Sequence, residues 1–173
     1  SRSFELIFGE DEERQRNYLH GILSEKNSSL TLGHRAFAGL VASGGIKTVF
    51  TTNFDTVVER ALAEVAGKDI APFHLEGSHA AQAALDNDQF PIYCKLHGDF
   101  RYRGLKNLEA DLQTQNAALG KCLVNACNRF GLIVAGYSGR DDSVMQLLSS
   151  VLDGHNPFPH GLYWMGLKGR ALL

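Results

Sequence analysis

Thr48-Val49-Phe50-Thr51-Thr52-Asn53-Phe54-Asp55 decides how this chain is read. A β-branched and aromatic run passes directly into a short polar cluster. Val, Phe and Thr favour a pleated strand, whereas Asn and Asp favour turns and helix starts. The stretch therefore predicts a strand over 48–52 with polar side chains just past its carboxyl end. The pattern recurs twice. Ile92-Tyr93-Cys94 leads into Lys95-Leu96-His97-Gly98-Asp99, and Leu132-Ile133-Val134-Ala135 leads into Gly136-Tyr137-Ser138-Gly139-Arg140-Asp141. In an open parallel sheet, ligands bind beyond the carboxyl ends of the strands. Three such clusters predict one shared pocket.

Working outward, helical periodicity fills the intervals. Residues 10–25 carry Tyr18, Leu19, Ile22 and Leu23 on one face, which predicts an amphipathic helix. Ser28 and Ser29 serve as cap or turn residues before a helix bearing His34, Phe37, Leu40 and Val41, which Gly44-Gly45 ends. A helix over 54–66 turns Val57, Val58, Ala61, Leu62 and Val65 inward and closes at Gly67. Ile70–Phe73 is a candidate short strand and His79–Leu85 a helical turn or two. Ile92–Leu96 is the second main strand. Leu108, Leu112, Leu119, Leu123 and Val124 define a helix over 108–129, before a strand over 132–136. Asp141–Leu152 is helical, and Leu162–Met165 is a last strand. Strands separated by helices favour a mainly parallel sheet with right-handed crossovers, an α/β class.

The bulk numbers suit that class. The chain has 173 residues, 44% apolar and 21% charged, with a formal net charge of −2. Such a balance gives no basic footprint for nucleic acid and no polybasic membrane patch. No apolar run reaches the ~20 residues of a membrane span, and the first residues do not read as a signal peptide. Cys94, Cys122 and Cys127 are odd in number and lack paired CxxC spacing. They are expected to be small buried thiols in a reducing, cytoplasmic compartment, without a four-cysteine zinc site.

Each cluster offers different chemistry. The Asn53 amide both donates and accepts hydrogen bonds. Asp55 fits a helix cap and a ligand contact equally, and Thr51 and Thr52 read mainly as strand residues. His97, followed by Gly98, combines a near-neutral pKa with conformational room and is a candidate general base. Gly136 permits close approach of a ligand and Ser138 supplies a hydroxyl. Asp141 and Asp142 read first as caps, and Lys95 with Asp99 as a solvated pair beside the pocket. His20, His34, His74, His79, His155 and His160 lack ligand spacing and read as structural or surface residues.

Taken in order, Thr-Thr-Asn53-Phe-Asp, Lys-Leu-His97-Gly and Gly-Tyr-Ser138 resemble the three signatures of sirtuin-type NAD-binding domains. Leu32-Gly33-His34, Leu40, Gly44 and Gly45 resemble the family's approach to the first signature, so the likeness spans about residues 30–165. The wording is most similar to the sirtuin-like NAD-hydrolysing domains of bacterial anti-phage defence proteins. The resemblance implies a Rossmann-like three-layer sandwich over 1–173, lacking the zinc module of the deacylases, because the interval after His97 is occupied by the helix 108–129. It implies Asn53 and His97 as catalytic residues, and Thr52, Asp55, Gly136 and Ser138 as the NAD-binding set, with no metal. Phe4–Phe8 and Gly9 are followed by acidic residues rather than a glycine-rich phosphate loop. Acidic residues at a helix start repel a pyrophosphate, so the expectation is a fragment whose first strand and phosphate loop lie upstream of Ser1.

The resulting expectation is an NAD glycohydrolase that releases nicotinamide and ADP-ribose. A non-catalytic module that binds NAD or an ADP-ribose derivative is the alternative, and an NAD-dependent protein deacylase a weaker one. As partners the resemblance implies NAD, an attached sensor or effector domain or partner protein, and a homo-oligomer. It implies no direct nucleic-acid binding and no membrane association.

Overall fold

The computed structural model describes residues 29–53, 55–67, 69–73, 78–96 and 109–166, with backbone alone over 109–116, and places Arg14, Tyr18 and Gly21 in helical conformation. The rest of the helix expected over 10–25 lies outside the described residues, as do Phe54, His97 and Asp99. In chain order the elements are α1 (Leu32–Ala42), β1 (Thr48–Thr51), α2 (Val57–Ala66), α3 (Ser78–Asp86) and β2 (Ile92–Lys95). They continue with α4 (Glu109–Arg129), β3 (Leu132–Ala135), α5 (Asp142–Leu152) and β4 (Leu162–Met165).

Local chemistry sets the boundaries. The cap of α1 is Thr31 rather than Ser28 or Ser29. Its Oγ1 accepts from the His34 N–H, and His34 Nδ1 accepts from the Thr31 N–H, a capping box with imidazole in the usual carboxylate's place. The helix ends at left-handed Gly44 (φ 78°), as the sequence predicts. The second helix starts three residues later than its pattern suggests. Asp55 Oδ1 accepts from the Val57 N–H at 3.1 Å, so the turn at Asp55 and Thr56 precedes the first helical residue. Within α4, Leu119, Cys122, Leu123, Ala126 and Cys127 are all buried, the spacing of a helix stripe facing a core.

Both strand pairs are parallel. Thr48–Thr51 pairs in register with Ile92–Lys95, and Leu132–Ala135 with Leu162–Met165. Phe73 bridges Cys94 on the other edge of β2, so the expected strand at 70–73 is reduced to one bridge. Helices cover both faces of β1–β2. Val49 packs with the core of α1 and α2 (Ala38, Val41, Ala61, Leu62), while Phe50 packs with α3 and α4 around Ile92, Cys94 and Leu119. A third cluster joins Phe50, Leu96 and Leu132 to Leu123, Cys127 and Val151. The described strands thus form two short parallel pairs rather than one continuous sheet, an α/β arrangement compatible with a Rossmann-like fold. Val65, expected inward, is exposed, as is Leu40 on α1. None of the described helices is long and apolar enough to cross a membrane.

Candidate functional site

The turn after β1 is built by three hydrogen bonds. The Asn53 N–H donates to Thr51 Oγ1 at 3.0 Å, Asp55 Oδ1 accepts from Val57, and Lys95 Nζ donates to the Asp55 carbonyl at 2.7 Å. The backbone of Asn53 is held close to the end of β1 while its amide side chain is exposed. Thr52 and Asp55 beside it are half-buried. One Asp55 oxygen is engaged at the helix start, which is the cap reading of that residue.

The first two clusters meet directly. Thr51 lies opposite Lys95 in the register, and the Leu96 N–H donates to the Thr51 carbonyl at 2.9 Å. Lys95 overturns its sequence reading as a solvated residue. It is 0% exposed, with Nζ at 2.7 Å from Glu59 Oε1 as an ion pair. Tyr93 Oη donates to Glu59 Oε2 at 3.0 Å. A charge without access to water requires such partners. The position of His97 in the site remains a reading of the sequence, which puts it two residues beyond Lys95.

The third cluster belongs to the other strand pair. Gly136 sits at φ 70°, and a Cβ added there would meet nothing within 4 Å. Glycine is required at that turn by backbone conformation, not by crowding. Ser138 is exposed. The loop is anchored around Tyr137, whose Oη donates to the Asp141 carbonyl at 3.1 Å and whose own carbonyl accepts from Trp164 Nε1 at 3.2 Å. Burial, more than the nearby Asp141 and Asp142 charges, raises the Tyr137 phenol above its ordinary pKa. Asp141 is the N-cap of α5, accepting from Ser143 and Val144, in line with its sequence reading. The three strands share the core around Phe50, Leu96 and Leu132.

Glu59, Tyr93 and Trp164 were absent from the sequence-based site. Glu59 lies on α2 four residues after Asp55, and Tyr93 two before Lys95 on β2. A lysine ending an otherwise apolar strand, aligned with a tyrosine by strand periodicity, is the signal that a buried pair was needed. The cysteines behave as expected: Cys94, Cys122 and Cys127 are free and buried. Cys94 is held neutral first by its hydrogen bond with Cys122 and then by burial, and burial pushes Cys127 up to about 12. No group of three or more His, Cys, Asp or Glu side chains able to hold a metal occurs among the described residues.

Comparison with known proteins adds one match. The family model described as a SIR2-like domain matches residues 47–170. That interval contains all three strand-end clusters. No curated protein matches the chain.

Proposed function

The chain belongs to the SIR2-like domain family, and from that premise we propose that it hydrolyses NAD to nicotinamide and ADP-ribose. Family membership points to NAD-related chemistry. The observation that supports the finer reading is Asn53, an exposed amide on a turn pinned at the carboxyl end of a parallel strand pair, where an α/β sheet binds its ligand.

The nicotinamide of NAD is a cationic leaving group that departs neutral, so no acid is needed to protonate it. Breaking the glycosidic bond leaves positive charge on the ribose, as in other glycosyl transfers. Water then adds to the anomeric carbon and loses one proton, giving ADP-ribose, nicotinamide and a proton. In this reading Asn53 orients water, nicotinamide or ribose, and His97 accepts the proton or holds a ribose hydroxyl. Thr52, Gly136 and Ser138 line the ribose–phosphate path, with Asp55 near the nicotinamide end. A cytoplasmic effector role in anti-phage defence, with an attached sensor or partner and homo-oligomeric assembly, completes the proposal.

The test is nicotinamide release from NAD by the full-length protein in its activated state. Replacing His97 or Asn53 by Ala should lower the rate at least about 100-fold, the usual scale for losing a positioned proton acceptor. Undiminished hydrolysis by His97→Ala would overturn the assignment of the base. Tight NAD binding without nicotinamide release would replace hydrolysis by a sensing role.

A further inference from the structure

We propose that Lys95 is a positioning residue that holds the Asn53-bearing turn in its working conformation; its effect on turnover rests on the NAD-hydrolysing reading above. All four residues of β2 are buried, and Lys95 is the charged one, at its carboxyl end. Strand alternation puts Tyr93 and Lys95 on one face, and both reach Glu59 on α2. Had the ammonium only to balance Glu59, that ion pair would suffice. The Lys95 ammonium also donates to the Asp55 carbonyl at 2.7 Å. This bond runs from β2 to the turn that follows β1, across 40 positions of sequence. It fixes the orientation of the peptide after Asp55, while the Asp55 carboxylate fixes the Val57 N–H.

Lys95 therefore couples two strand ends. Asn53 lies two positions before Asp55, and His97 two positions after Lys95. A charge-assisted hydrogen bond from a buried ammonium is stronger and more directional than one between neutral groups. Without it the described part of the turn keeps its local bonds, from Thr51 Oγ1 and Asp55 Oδ1. A displacement near 1 Å at a reacting centre suffices to cost about 100-fold in rate.

The experiment compares Glu59→Gln with the double variant Glu59→Gln/Lys95→Met in the full-length protein. The double variant removes both members of the ion pair together, so its melting temperature should stay near that of the parent. Glu59→Gln leaves the buried ammonium without its carboxylate and should lower the melting temperature, but the folded variant keeps the Lys95 bond to the Asp55 carbonyl and should retain kcat within about three-fold, whereas the double variant should lose about 100-fold in kcat with little change in KM. A folded double variant with near-parental kcat would show that Lys95 merely neutralises Glu59. Amide hydrogen exchange supplies a readout independent of turnover. In the parent, the Asn53 and Val57 amides should be protected together with those of β2, and in the double variant they should exchange faster while β2 stays protected. Exchange of the parental turn amides at unstructured-chain rates would overturn the proposal without any variant. Parental protection with no nicotinamide release would instead leave Lys95 in place and remove the hydrolytic reading.

Discussion

The pairs β1–β2 and β3–β4 are built alike, with four residues per strand, parallel register and mostly apolar side chains, yet their surroundings differ. Every residue of β2 is buried, and helices pack on both faces of its pair. On β3–β4 no strand residue is fully buried, and Ile133, Tyr163 and Met165 on one face are 63%, 61% and 63% exposed. Parallel sheets are ordinarily buried on both faces, so the two pairs show what burial contributes. Where both faces are closed, a lysine must be matched by Glu59, Tyr93 and a backbone carbonyl, and the adjoining turn inherits that order. The loop after β3 takes its order instead from contacts within its own pair, through Tyr137 and Trp164.

This contrast is open to direct attack by substitution, with chemical denaturation as the measurement. The largest stability effect should come from Lys95→Met alone, which strands Glu59 beside an apolar chain and should cost about 3 kcal/mol or more. Adding Glu59→Gln should recover most of that loss. Recovery is the sharper result, because an exposed ion pair would show almost no coupling. Next is Ile92→Ala. Ile92 is 0% exposed between α3 and α4, and its truncation should cost about 3 kcal/mol through lost transfer energy and a cavity. Removing the α5 cap with Asp141→Ala should cost about 1 kcal/mol. Ile133→Thr, which keeps a β-branched residue on the exposed face of β3, should change stability by less than about 0.5 kcal/mol. Equal costs for Ile92→Ala and Ile133→Thr would erase the distinction between the pairs. A thiol reagent at neutral pH offers a separate check: Cys94, Cys122 and Cys127 should resist it in the native protein and all react after denaturation, since the thiols are buried and a raised pKa at Cys127 keeps that one protonated.

Much of this was legible in the residues alone. Alternation of β-branched runs with helical periodicity located the four described strands to within a residue at their ends, because side-chain period is a local property of the backbone. Gly44, Gly67 and Asp141 marked helix boundaries for equally local reasons. The three strand-end clusters likewise followed from turn chemistry next to apolar runs, and the family match over 47–170 contains them all. What the tertiary structure decided was which apolar strand is closed in and which polar side chain is buried. The same four-residue apolar pattern is sealed at Ile92 and open at Ile133, since exposure depends on which helices return to each face. Lys95 is the clearest instance. Its sequence neighbours suggested a solvated charge, and only the fold brings Glu59 and the Asp55 carbonyl within 2.7 Å of its ammonium. Burial and long-range pairing are properties of chain segments that meet in space, and no local pattern encodes such a meeting.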